Sequence, residues 1–260
     1  MKHYVQVYKR FLETCLAEAT SFRLHFLLLI FVDLCFYAST LLSIDFLYRF
    51  VSHVGPWKRD QFFFFICVVL GIDQWHMTFV SQNFWLLPLQ IRTGAFDFVL
   101  LRPIGSLFIV FFRNIRTASF LNILITWPLI FYYGLKVGLG VKEFLLLPLV
   151  MVLGFSLLIQ IEIMIVTFTF WMIEGTGLNF LRMEIQRVSR WPDYIYPSLA
   201  RKFFLVFIPI LLVGNAPVRF LLHHWDWGPL LGLLWANIFF ALGLKVLWQM
   251  AIGRYESASS

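Results

Sequence analysis

The sequence predicts an all-α, polytopic membrane protein with one domain, residues 1–260. Of its 260 residues, 60% are hydrophobic and 13% are charged, and its mean hydropathy is +0.81. Soluble chains are roughly 45–50% apolar and about 25% charged, so this excess indicates that lipid is the solvent. Several apolar runs also reach the about 20 residues that a helix needs to cross a bilayer.

Six membrane segments are predicted, and a basic amphipathic helix at residues 1–21 precedes them on the membrane surface. The fourth segment is unusually long, so we expect it to tilt or to project from the bilayer. The run QFFFF at residues 61–65 has no helical stripe and is expected to face lipid near the outer interface. The segments cover residues 22–44, 61–82, 107–133, 143–173, 203–222 and 229–250.

The fifth segment is interrupted. Its apolar run FFLVFIPILLV, residues 203–213, is too short to cross alone, and Asn215 and Pro217 follow it. Irregular backbone at membrane depth persists only against protein or a wet cavity. We therefore expect a short span followed by a re-entrant hairpin before the sixth segment, with Phe220 and Leu221 protected from water.

The positions of Lys and Arg predict that both termini are cytoplasmic, because basic residues concentrate on that side of a membrane. With this orientation 15 of the 21 Lys and Arg residues are inside. Residues 90–103 and 174–202 are then cytoplasmic, and residues 45–60 form an outer loop. The net charge of +7 reflects topology and attraction to anionic lipid, and we expect no nucleic-acid partner.

Ionisable residues inside the apolar segments are candidates for a translocation pathway, because charge is costly in lipid. Asp33 lies in the first segment and Glu162 in the middle of the fourth. Asp73 and His76 are three residues apart in the second segment and so share a helix face. These four residues indicate either a substrate pathway or proton relay, or polar contacts that join helices.

No pattern of catalytic or metal-binding residues accompanies these segments. The glycine-rich stretch at residues 134–143 lacks the spacing of a nucleotide-binding loop. The three cysteines form no CxxC pair. The sequence therefore predicts a chain that is not an enzyme, with no metal and no cofactor of its own.

The stretch TGAFDFVLLRPIG, residues 93–105, places a charged, apolar helix between two membrane segments. Asp97 near its start and Arg102 near its end both suit the helix dipole, and Pro103 ends it. We expect a helix of two turns whose apolar residues exceed what a solvated loop tolerates. It needs a groove, either in its own bundle or in a partner.

These features together resemble the permease subunits of type-2 ABC transporters. The nearest branch is the small bacterial permeases that pair with a second, related permease and a separate ATPase. The resemblance covers essentially the whole chain, and IRTGAFDFVLLRP and FIPILLVGNAP are its most specific parts. It implies that residues 90–103 are a coupling helix and that the hairpin after the fifth span is an outer gate.

The resemblance also implies roles for individual residues. Phe96 and Leu100 would fill a groove of the ATPase, while Asp97 and Arg102 would fix the orientation at its rim. The coupling residues are Arg92, Thr93, Gly94, Phe96, Asp97, Leu100, Arg102 and Pro103. The candidates for translocation or gating are Asp33, Asp73, His76, Glu162, Asn215 and Pro217.

The implied function is ATP-driven transport, usually export, across the bacterial inner membrane. The partner ATPase, present in two copies, would bind ATP and Mg. The second permease would be identical or related to this chain. The main alternative is a secondary transporter coupled to protons through the intramembrane acids. That class often has inverted repeats with paired broken helices, whereas only the fifth segment is broken here.

Overall fold

A computed structural model describes residues 2–21, 23–51, 53–172, 174–223 and 225–256. Phe22 and Ile173, which bound the predicted first and fourth segments, lie outside the described residues. A hairpin of β1 (His53–Val54) and β2 (Trp57–Lys58) interrupts the helices. The helices are α1 (Lys2–Ser21), α2 (Arg23–Leu47), α3 (Arg59–Phe79), α4 (Ser81–Arg92), α5 (Asp97–Leu100), α6 (Ser106–Phe112), α7 (Thr117–Phe120), α8 (Ile123–Lys136), α9 (Val141–Thr167), α10 (Thr176–Ser189), α11 (Ser198–Val206), α12 (Leu212–Leu222) and α13 (Trp227–Arg254).

Five helical stretches of the described chain are long and apolar enough to cross a membrane. This confirms the all-α, polytopic fold class. Short 3-10 turns follow α9 and α10, at Phe168–Trp171 and Asp193–Ile195. The five stretches are Arg23–Leu47, Arg59–Arg92, Thr117–Lys136, Val141–Trp171 and Trp227–Arg254.

The helix boundaries of the third predicted segment, residues 107–133, differ from the expectation. That range contains most of α6, all of α7 and most of α8, with an irregular stretch before α7. The Asn83 side chain holds this stretch, because its Nδ2 donates to the Asn114 carbonyl at 2.8 Å and its Oδ1 accepts from the Asn114 amide at 2.9 Å. The backbone groups of Asn114, two residues beyond the end of α6, are thus satisfied by α4.

Helix α3 lies at the centre of the bundle, packed against α8, α9 and α12. Its four consecutive phenylalanines are all buried, so the expectation that residues 61–65 face lipid is wrong. A run without a stripe suits a helix surrounded by protein, because every direction around the axis meets a neighbour. Phe63, for example, stacks on Tyr133 of α8 with ring centroids 4.9 Å apart.

Helix α10 runs beside α3 and α4 in the opposite direction. Near its start, Asn179 donates to the carbonyl of Phe84 in α4 at 3.1 Å. Beyond its end, the ring of Tyr194 lies 5.7 Å from that of Trp57 in the β1–β2 hairpin. The chain therefore travels from one end of the bundle to the other over residues 174–202, for which the sequence predicted a cytoplasmic loop.

This path changes the charge count that set the orientation. Five of the basic residues assigned to the cytoplasm lie in the segment of α10 and α11. The bias of Lys and Arg between the two ends of the bundle is therefore smaller than the sequence indicated. These five residues are Arg182, Arg187, Arg190, Arg201 and Lys202.

The predicted segment 203–222 is divided between two helices. Helix α11 ends at Val206, and α12 packs against α3, α9 and α13. Phe220 and Leu221 are both buried, as expected. Pro217 has no amide to donate to the Val213 carbonyl one turn earlier, and this carbonyl faces Gly154 of α9 so closely that a Cβ there would clash with it.

Replacing Gly154 with Ala is expected to destabilise the protein by about 1–3 kcal/mol, because the added methyl group must push α12 away from α9. Gly177→Ala in α10 is the matched control, since no atom lies within 4 Å of its added methyl group. Thermal unfolding of the two purified variants in detergent measures the difference. Equal melting temperatures would show that the two helices are not in tight contact.

Both described ends of the chain lie at the same end of the bundle. The Tyr4 hydroxyl in α1 accepts a hydrogen bond from the Gly105 amide at 3.1 Å. The ring of Tyr255, just after α13, lies 4.9 Å from that of Phe96. The connection between α4 and α6 therefore has α1 on one side and the end of α13 on the other.

Candidate functional site

Glu162 is the centre of a buried ionic network that joins three helices. Its Oε2 atom lies 2.6 Å from Nε2 of His76 in α3, and its Oε1 accepts from Nη1 of Arg182 in α10 at 3.0 Å. All three side chains are almost completely buried. Of the predicted candidates, Glu162 and His76 are thus brought together, and Arg182 joins them.

Gln186 extends this network to Asp73. Its Nε2 donates to Oδ1 of Asp73 at 3.1 Å and lies 3.3 Å from Nδ1 of His76. An ionised carboxylate only accepts hydrogen bonds, so the side-chain amide of Gln186 turns its Nε2 atom, and not its oxygen, toward Asp73. With this amide orientation, the hydrogen-bond network assigns Nδ1 of His76 as an acceptor and places the ring proton on Nε2, which donates to Glu162.

The charges in the network balance. Arg190 places its Nε 2.7 Å from Oδ2 of Asp73, and Arg182 pairs with Glu162. Arg182 also lies over the ring of Phe84 at 4.4 Å, a cation–π contact. Two guanidinium groups therefore neutralise two carboxylates, which is what burial at this depth requires.

Asp33 belongs to a separate cluster between α2 and α7. Its carboxylate accepts from Nη2 of Arg116 at 3.0 Å, from Ser119 Oγ at 2.8 Å and from Asn122 Nδ2 at 2.7 Å. These three donors, which come from α7 and the residues on either side of it, satisfy the buried charge of Asp33. The structure does not bring Asp33 into hydrogen-bond contact with the Glu162 network, and its visible role is to join two helices.

Asn215 in α12 ties the end of α10 to the paired helices α11 and α12. Its Oδ1 accepts from the Asp193 amide at 3.1 Å, and its Nδ2 donates to the Leu211 carbonyl at 2.8 Å. The Asp193 carboxylate in turn pairs with Arg201 of α11. The predicted gate residues Asn215 and Pro217 therefore lie where the chain changes direction, packed in protein.

The coupling region predicted at residues 90–103 is not one helix of two turns. Helix α4 continues to Arg92, and Gly94, at φ +73°, begins the turn that separates it from α5. Helix α5 has a single turn, Asp97–Leu100. The left-handed backbone at Gly94 suits glycine and ends the preceding helix.

Phe96 does not face outward from this connection. Its ring is fully buried against Phe170, Trp248 and Tyr255, with centroids 4.9 to 6.3 Å away. The expectation that Phe96 fills a groove in a partner is therefore wrong. Together with Val99, this ring fastens the connection to the chain's own core.

The connection presents other apolar side chains to its surroundings. Phe98 is 68% exposed and Leu101 is 80% exposed, and Leu100 is also exposed. Asp97 is half-buried, and the remaining predicted coupling residues on the surface are Arg92, Thr93, Arg102 and Pro103. This combination of apolar and basic groups forms what we call the exposed connection, residues 92–103.

Residues of α10 that the sequence did not single out complete the buried site. Arg182, Gln186 and Arg190 recur every four residues, so they share one face of the helix. That polar stripe was the available signal, but assigning residues 174–202 to a solvated loop concealed it. The described part of the chain contains no group of three or more His, Cys, Asp or Glu that could hold a metal ion.

Comparison with known proteins shows a family match. The family model described as "ABC-2 family transporter protein" matches residues 34–259. No curated protein and no solved structure matches the chain. The matched region begins one residue after Asp33 and includes the Glu162 network, the exposed connection and α12.

Proposed function

Because this chain belongs to the ABC-2 family of transporter proteins, we propose that it is the permease subunit of an ATP-driven exporter. In this proposal a separate ATPase binds ATP and Mg and hydrolyses the nucleotide. The permease contributes no catalytic residue and holds no cofactor. Two ATPase copies and a second permease, identical or related, complete the transporter in the bacterial inner membrane.

The observation that carries this proposal is the exposed connection at the end of the long α3–α4 stretch. Large apolar side chains in water are unfavourable, and a pair as exposed as Phe98 and Leu101 is typical of a docking surface. Phe96 and Val99 hold the turn rigidly beneath them. A force applied at the exposed connection would reach α3 directly, because α4 continues α3 with a break only at Val80.

We further propose that the chain crosses the membrane six times, with α10 as the fifth crossing. The others are α2, α3–α4, α7–α8, α9 and α13, and α11 and α12 form the re-entrant pair. An even number of crossings agrees with the shared location of Tyr4 and Tyr255 at one end of the bundle. We assign that end, with the exposed connection, to the cytoplasm.

The face of α10 that points away from the bundle supports the proposal of a second permease. Glu184 and Arg187 form an ion pair at 3.2 Å, and both side chains are 61% exposed. Charged groups at the depth of membrane spans face protein or a water-filled path, because lipid does not solvate them. We infer that this face of α10 lines a path enclosed between two permeases.

The proton-coupled alternative has less support. Asp73, His76 and Glu162 are buried and paired with Gln186, Arg182 and Arg190. A proton relay needs contact with water at some stage, whereas Asp73, His76 and Glu162 are each at most 3% exposed.

The proposal predicts that Phe98→Ala weakens association with the ATPase roughly thirtyfold, since truncating an interfacial aromatic anchor often costs about 2 kcal/mol. Leu101→Ala should act in the same direction. Co-purification of the ATPase, normalised to permease abundance, measures the effect. Phe239→Ala in α13 is a control of similar exposure far from the exposed connection in sequence.

If Phe98→Ala and Leu101→Ala retain as much ATPase as Phe239→Ala, the exposed connection is not the docking surface. Normal ATPase retention combined with complete loss of transport would likewise contradict docking through these side chains.

A further inference from the structure

A cleft opens between α1, α2 and α7. Its volume is about 140 Å³, below the roughly 300–1,000 Å³ of sites for drug-sized ligands, so it suits a small polar group. Its polar lining includes Glu18, His25 and Arg116, and Phe26 and Leu29 provide an apolar wall. Both signs of charge are thus present around one apolar surface.

The cleft lies where two membrane stretches begin. The stretch Arg23–Leu47 starts beside His25, and the stretch Thr117–Lys136 starts beside Arg116. The residues just outside an apolar span occupy the headgroup region of a bilayer. The depth of the cleft therefore suits a lipid headgroup.

Arg116 has hydrogen-bonding capacity to spare. Its Nη2 donates to Asp33, but its buried Nε has no hydrogen-bond partner among the described residues. A buried donor left unpaired costs free energy, and a phosphate oxygen would satisfy it with a charge-assisted bond. Asp33 meanwhile holds the guanidinium in place at the wall of the cleft.

The surface next to the cleft is suited to acyl chains. Helix α2 has an exposed apolar face that starts at the level of His25 and continues along the span. A molecule with its headgroup in the cleft could extend its chains along this face. The exposed residues of that face are Leu24, Leu27, Leu28, Phe31 and Val32.

We propose that this cleft binds the headgroup of a zwitterionic aminophospholipid of the adjoining leaflet. Arg116 and His25 hold the phosphate, Glu18 holds the ammonium group, and the acyl chains lie along α2. A purely anionic phospholipid is disfavoured, because the Glu18 carboxylate repels it and has no ammonium to bind. The site is independent of the ATPase, so it does not depend on the proposed transport function.

The test measures lipid retention by native mass spectrometry of the purified full chain, with phosphatidylethanolamine and phosphatidylglycerol added separately. Glu18→Gln should lower the affinity for phosphatidylethanolamine about tenfold, the value of one charge-assisted contact, and leave phosphatidylglycerol unchanged or improved. His25→Ala should weaken both lipids. Glu13→Gln is the control, because Glu13 is on the same helix but pairs with Arg10 instead of lining this cleft.

Arg116 is left unchanged in this test, because its loss would also remove the ion-pair partner of the buried Asp33 and disturb the fold. Equal retention of phosphatidylethanolamine by Glu18→Gln and Glu13→Gln would overturn the proposal. A separate arm adds soluble glycerophosphoethanolamine, which has the same headgroup without acyl chains. Displacement of the lipid at equal concentration would show that the cleft recognises a soluble phosphate compound and not a membrane lipid.

Discussion

Replacing Arg182 with Met is expected to lower the free energy of unfolding by about 3–5 kcal/mol. The substitution removes the guanidinium counterion of the fully buried Glu162 and leaves only His76 beside it. Thermal unfolding in detergent, followed by the loss of monodisperse protein on gel filtration, measures the change. The ring of Phe84 also loses its cation–π contact.

A second substitution should reverse most of this loss. In the double variant Arg182→Met, Glu162→Gln no charge is left unpaired, and the amide oxygen introduced at position 162 still accepts from His76. Replacing both members of a buried pair by neutral groups is often close to neutral in stability. Arg187→Met is the matched control, since its ion pair with Glu184 is exposed and contributes at most about 1 kcal/mol.

Stability of Arg182→Met equal to that of Arg187→Met would show that α10 does not pack as described. Failure of the double variant to recover would show that Arg182 contributes mainly through packing on Phe84. The two results separate the electrostatic from the steric role of this side chain.

Phe96→Ala is expected to destabilise the protein by about 3–5 kcal/mol, because it removes a fully buried ring from a cluster of three other aromatic side chains. The abundance and the melting temperature of the permease should fall in the absence of any ATPase. Phe98→Ala, two residues away, should leave both unchanged. If Phe96→Ala instead folds normally and loses only its ATPase, the ring belongs to an interface between subunits.

The apolar helices could be predicted from sequence because lipid selects for composition. Helices α2, α9 and α13 coincide with long apolar runs, and the predicted segments find them. Helix α10 was missed for the converse reason. Its charges are satisfied by Glu162 and Asp73, whose proximity depends on tertiary packing and leaves no mark in local hydropathy.

The candidate site was predictable in part. The spacing of Asp73 and His76 placed them on one helix face, and both contact Gln186 as that requires. Their meeting with Glu162, 86 residues beyond His76, could not be derived from one sequence. The direction of Phe96 was equally beyond reach, because a helix of one turn has no periodic pattern that separates a buried face from an exposed one.

The charged stripe of α10 also has a consequence for biosynthesis. An arginine near the centre of a span costs about 2.5–3.5 kcal/mol during insertion by the translocon, so a helix with several charges does not partition into lipid alone. In the proposed six-pass arrangement, the counterions for Arg182 and Arg190 are in α9 and α3, which leave the ribosome earlier. We therefore expect α10 to enter the bilayer late, together with a partly assembled bundle. In truncated nascent chains that end before α13, α10 should still be accessible from the cytosol.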